Sequence, residues 1–75
     1  MTIFAHMTAT EYIQQRLNKI GVSAYDLASI MGVSPPTAYK YIAQPDTMTL
    51  QMARRMSNAL KVDNLHLIQI IVNND

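Results

Sequence analysis

Apolar residues recur along this chain at helical spacing, in short runs broken by small polar residues and glycine, and that rhythm predicts five helical segments. In the first, Ala9, Ile13, Leu17 and Ile20 share a face, with Tyr12 beside them. Thr8 stands as N-cap and Glu11 follows three residues later, the spacing of a capping box; Gly21 can take the left-handed conformation that ends a helix. Arg16 and Lys19 fall in the last turns, where cations suit the negative end of the helix dipole. The second segment starts at Ser23, with Asp26 in its first turn. It offers Leu27, Ala28, Ile30 and Met31 as its apolar side and stops at Gly32.

The third segment places Ala38, Tyr41 and Ile42 inward and Thr37, Tyr39 and Lys40 outward, and ends in a loop at Pro45 and Asp46. A fourth follows Thr49, with Leu50, Ala53, Met56, Ala59 and Leu60 inward and Arg54, Arg55 and Asn58 outward as a solvated face. Asp63 caps the fifth, NLHLIQIIV, in which only His66 and Gln69 interrupt the apolar run between positions 65 and 72. Its β-branched residues Ile68, Ile70, Ile71 and Val72 would also suit a strand. The expectation is a helix to about Ile70, with the tail either continuing it or fraying. At the start of the third segment Pro36 disfavours α geometry at Pro35, so Pro35 is expected at the cap and Pro36 as the first helical residue, where a missing N–H is no loss.

Composition narrows the chemistry. A chain of 75 residues holds one domain, here expected over 8–72, with 1–7 a flexible arm or cloning remnant and 73–75 a tail. Without cysteine there is no thiolate metal site or thiol nucleophile, and His6 and His66 stand apart with no carboxylate at ligand spacing, so no metal is expected. Paired carboxylates, an activated nucleophile with its base and a phosphate-cradling glycine loop are also missing, which argues against an enzyme, catalytic residues or a cofactor. Net charge is +1 and charged residues make up 15%, modest for a nucleic-acid binder. No apolar run is long enough for a membrane span, and MTIFAHM lacks the basic flank of a signal peptide; the expectation is a soluble cytoplasmic protein.

One stretch is more specific. In LASIMGVSPPTAYKYI, Ala28 is small where a second helix must cross closely, Gly32 supplies the positive φ of a sharp turn, and Val33 can tuck under the bend. Those are the packing needs of a helix-turn-helix. With GVSAYDLASIMGVS, YKYIA and TLQMARRMSNALKVDNLHLI in collinear order, residues 12–68 resemble the lambda-repressor and Cro-like helix-turn-helix family in its XRE form.

The resemblance implies an all-α, compact five-helix, lambda-repressor-like fold whose third helix enters the major groove of double-stranded DNA. Carried over by position, the base-facing residues are Pro35, Pro36, Thr37 and Lys40, with Tyr39 beside them; Ser23, Ser34 and Gln44 are placed against phosphates. Lys40 could equally be a solvated lysine, and Tyr39 could pack over the edge of helix two. The chain departs from the family at Ala24, where a glutamine is common, at IAQPDTM, where an ENG-like loop is usual, and at Ala38 and Tyr41.

The fifth segment is apolar nearly all round, more than one helix of so small a domain can bury, so Leu65, Ile68, Ile71 and Val72 are expected to form a homodimer interface. The functional expectation is a phage-type or Cro-like transcriptional repressor. The alternative is an interaction module on the same fold, an antitoxin or accessory protein, that binds a partner through the same segment.

Overall fold

The structure, a computed structural model, describes residues 7–73. The expectations placed on His6, on most of the N-terminal arm and on the last two residues of the tail lie outside them. Five α-helices follow in order: α1 Ala9–Ile20, α2 Ala24–Met31, α3 Pro35–Ala43, α4 Leu50–Leu60 and α5 Asn64–Asn73, with a 3-10 turn at Pro45–Thr47 between α3 and α4.

Each helix opens on a side chain that accepts the N–H of the third helical residue: Thr8 from Glu11, Ser23 from Asp26, Ser34 from Thr37, Thr49 from Met52 and Asp63 from His66. At Thr8 the capping box closes, because Glu11 Oε1 accepts the Thr8 N–H at 2.9 Å. These caps satisfy backbone donors that an α-helix cannot satisfy internally.

Helix ends repeat one device. Gly21, Gly32 and Lys61 sit at φ 73, 75 and 60°, and the following valine in each case, Val22, Val33 or Val62, donates its N–H to a carbonyl five residues back. All three valines pack partly buried against the core. The left-handed residue turns the chain and the valine seals the turn, the hydrogen-bonded and apolar halves of a Schellman motif. Glycine takes this conformation freely, whereas at Lys61 it costs about 1–2 kcal/mol.

The core joins α1 through Ile13 and Leu17, α2 through Leu27 and Met31, α3 through Ile42, α4 through Met56, Ala59 and Leu60, and α5 through Leu67. Ala38, fully buried, and Ala28 are the small residues that let α2 and α3 pack closely, while Tyr41 packs half-buried against the cluster. Two residues depart from the expected pattern. Ile30 is 56% and Leu50 74% exposed, because each stands at the rim of a groove, Ile30 beside α4 and Leu50 beside α5, that the neighbouring helix does not cover. The fifth segment is helical through Asn73, so the β-branched tail continues the helix.

Long polar side chains stitch the helices. Thr10 Oγ1 donates to the Ile42 carbonyl at 2.7 Å, joining α1 to the end of α3. Arg16 does more than serve its own helix: its Nε donates to the Leu60 carbonyl at 2.8 Å and its Nη2 to that of Lys61 at 3.1 Å, closing the C-terminus of α4. Arg55, expected only to solubilise α4, donates from Nη1 to the Met31 carbonyl at 3.2 Å, at the end of α2.

Candidate nucleic-acid interface

The α2–α3 unit is built around the turn at Gly32. Its φ of 75° and the Val33 N–H bond to the Ala28 carbonyl reverse the chain, and Ser34 starts α3 immediately afterwards. Here the structure corrects the expected register by one residue. Ser34 is the N-cap, at φ −73° and ψ 155°, and Pro35 and Pro36 are the first two helical residues. Ser34 wins because its hydroxyl can accept the Thr37 N–H, a role no proline side chain can take. The strain that Pro36 imposes on Pro35 is accepted because neither N–H would have had a partner within the helix.

This start removes backbone chemistry. Positions one and two of α3 carry no N–H, and that of position three is held by Ser34 Oγ at 3.4 Å. The first turn therefore has no free backbone donor to offer an anion, and polar contacts from it must come from side chains. In contrast, Ala24 and Tyr25 at the start of α2 retain their N–H groups, at the positive end of that helix.

Outward from α3 point Pro36 and Lys40, both exposed, and Tyr39, 55% exposed; Pro35 and Thr37 are half-buried. Ser34 Oγ and Thr37 Oγ1 lie 2.9 Å apart and share a hydrogen bond. Tyr39 turns toward the start of α2 and lines a shallow groove of about 310 Å³ together with Gln14, Asn18, Val22, Ser23 and Ala24. This groove brings Ser23 and Tyr39 together from separate helices and adds Gln14 and Asn18, which the sequence reading did not single out. Their spacing of four residues on the polar face of α1 was visible, but only the crossing of α1 and α3 makes it significant. Gln44, exposed at the end of α3, lies apart at the other end of that helix.

A helix-turn-helix family model matches residues 13–63, from the first core isoleucine of α1 to the cap of α5. The chain belongs to the helix-turn-helix family. It is a DNA-binding domain of the XRE, Cro-like type, and its α2 and α3 are the two helices of the motif. No curated protein matches it. As a helix-turn-helix domain it is sparing with charge: of its six cations, Arg16 and Arg55 are occupied with helix ends, which leaves Lys19, Lys40, Arg54 and Lys61 exposed. On α3 the only cation is Lys40.

The matched span stops where α5 begins. Leu67 is its one fully buried residue, and Ile71 packs partly against the core beside it. Leu65, Ile68 and Val72 run along another face at three- and four-residue spacing, with Leu65 69% and Val72 72% exposed. Ile68, Ile71 and Val72 also line a groove of about 390 Å³ with Pro45, Met48, Leu50 and Ala53. Among the described residues no helix is long and apolar enough to cross a membrane.

Proposed function

We propose that this protein is a sequence-specific transcriptional regulator, of repressor or Cro type, that inserts α3 into the major groove of double-stranded DNA and acts in the cytoplasm as a homodimer. The observation that carries the reading is the outward face of α3, with Pro36, Tyr39 and Lys40 exposed beside the tight turn at Gly32. Pro35 and Pro36 are apolar and stiff, so they touch thymine methyls, and Thr37 and Lys40 supply the hydrogen bonds. Ser23, Ser34 and Gln44 meet the phosphates that set register.

Low charge per subunit makes doubling valuable. Two subunits on one duplex convert the second binding event into an intramolecular one, and two-fold dimers read half-sites about 34 Å apart. Leu65, Ile68, Ile71 and Val72 are the proposed contact, and exposed Leu50 adds to the same apolar surface beside Val72.

The second reading is an interaction module, an antitoxin or accessory protein, that uses the same α5 surface on a different protein. What favours it is that this surface lies outside the matched span. Binding to a pool of random duplexes at moderate salt, followed by sequencing of the bound fraction, tests the first reading: an enriched two-fold motif is expected, and a bound pool indistinguishable from the input would refute it. Sedimentation separates the two readings, since a dimer is expected of the first and a monomer of the second.

A further inference from the structure

Ser34 and Thr37 carry the only side-chain hydroxyls in the first turn of α3 and its cap, and their oxygens are 2.9 Å apart. Such a pair has two protons and uses one of them internally. Ser34 Oγ already accepts the Thr37 N–H, so one of its two lone pairs is taken. Two arrangements remain. If Ser34 donates to Thr37, the Thr37 O–H points outward. If Thr37 donates to Ser34, both lone pairs of Ser34 are filled, the Ser34 O–H points outward, and Thr37 presents lone pairs alone.

We infer that this hydroxyl pair is a coupled specificity determinant, in which a phosphate held by Ser34 turns Thr37 into a pure acceptor that reads a base amino group. The inference rests on the proposed reading that α3 enters the major groove with Ser34 at the backbone and Thr37 at the base edges. A phosphate oxygen only accepts, so Ser34 must give it a proton, and Thr37 must then give its own proton to Ser34. Thr37 Oγ1 facing the groove can accept but cannot donate. In the major groove only adenine, through N6, and cytosine, through N4, offer a donor; guanine and thymine would set their oxygens against that of Thr37.

Within the first turn of α3 no backbone N–H substitutes for this pair. Pro35 and Pro36 supply no N–H that could hold the phosphate instead, and neither ring can hydrogen-bond a base. Within the first turn of α3, phosphate binding and base choice therefore pass through the same two oxygens.

The test is selection of bound sequences from random duplex by the full chain and by Ser34→Ala, Thr37→Val and Thr37→Ser. For the wild type one position in each half-site is expected to prefer one base pair by about tenfold, the scale of one net hydrogen bond, with its adenine or cytosine on the contacted strand. Thr37→Ser keeps that preference and Thr37→Val loses it, with the other positions unchanged. Ser34→Ala frees the Thr37 proton, so the same position falls to below about twofold while affinity drops across all sequences.

Because Ser34→Ala also removes a helix cap, its fold is checked by circular dichroism, and Thr37→Val carries the test independently. A Ser34→Ala protein that keeps the full adenine or cytosine preference would overturn the coupling. So would a wild type whose affinity is unchanged when the adenine or cytosine preferred at the position that Thr37→Val relaxes is replaced by purine or 2-pyrimidinone, which lack the amino group. A wild type with no preference at any position would instead overturn the proposed function itself.

Discussion

Replacing Lys61 with glycine should stabilise the protein. Lys61 is the described residue other than glycine held at positive φ, at φ 60° and ψ 44°, where an L-residue loses about 1–2 kcal/mol through its Cβ. Glycine removes that cost but returns about 0.5–1 kcal/mol to the unfolded chain as backbone entropy. The lysine cation near the negative end of α4 is lost as well, a matter of a few tenths of a kcal/mol for so exposed a group. Every hydrogen bond at the turn survives, because each is made by backbone atoms at positions 61 and 62. Lys61 N–H donates to Asn58, Val62 N–H to Ser57, and the Lys61 carbonyl accepts from Arg16. The balance is a gain of about 0.5 kcal/mol. With an m-value of about 1 kcal/mol/M for so small a domain, urea unfolding followed by circular dichroism should show a midpoint about 0.5 M higher with unchanged slope. Lys61→Val, β-branched in the same conformation, should move the midpoint the other way by more than that. A glycine variant with a lower midpoint at equal slope would mean that the left-handed turn is not where the strain lies.

The remaining predictions concern the interface and its supports. Arg55→Met keeps the side-chain length but removes the donor to the Met31 carbonyl, so the turn between α2 and α3 loses its outside brace. The ratio of specific to non-specific DNA affinity should fall several-fold, with the salt dependence unchanged because no phosphate contact is lost; a salt slope shallower by about 1 would show instead that Arg55 touches DNA. Pro35→Gln with Pro36→Ser should leave the fold intact, lower stability by about 1–2 kcal/mol through the freer unfolded chain, and change the selected motif. An unchanged motif would mean that the prolines shape the helix start and read nothing. Leu65→Glu with Val72→Glu places charge on the outer face of α5 without touching Leu67, and sedimentation should show a monomer whose melting temperature is nearly that of the wild-type subunit.

What was legible in the sequence was whatever depends on local chemistry. Thr8, Ser23, Thr49 and Asp63 announce their helices because a short polar side chain before an apolar run has one obvious partner, the third N–H. Gly21 and Gly32 were readable for the same reason. Lys61 was not, because nothing about a lysine signals a left-handed turn, though the valine that follows it repeats the pattern after both glycines. The register of α3 depended on a contest between proline geometry and a serine cap, which local preference alone weighed wrongly.

Ile30 and Leu50 had the right period and the wrong neighbours: periodicity defines an arc, and only the crossing of other helices decides how much of it is covered. Arg16 and Arg55 illustrate the same limit. Each reaches a carbonyl 44 or 24 residues away, a partner no local pattern could name. The candidate site was legible on α3, where the motif sets the spacing, and illegible on α1, where Gln14 and Asn18 meet Tyr39 only through the packing of α1 against α3.

The most direct test of the central claim is the effect of Lys40→Ala on the selected DNA motif, because Lys40 is the only cation α3 can bring to the duplex. If α3 lies in the major groove, the wild type enriches a two-fold motif, and Lys40→Ala relaxes it at one position in each half-site while leaving the rest intact. If binding is instead equal for all duplexes, or the motif and affinity are both unchanged without Lys40, α3 is not the reading helix and the account fails.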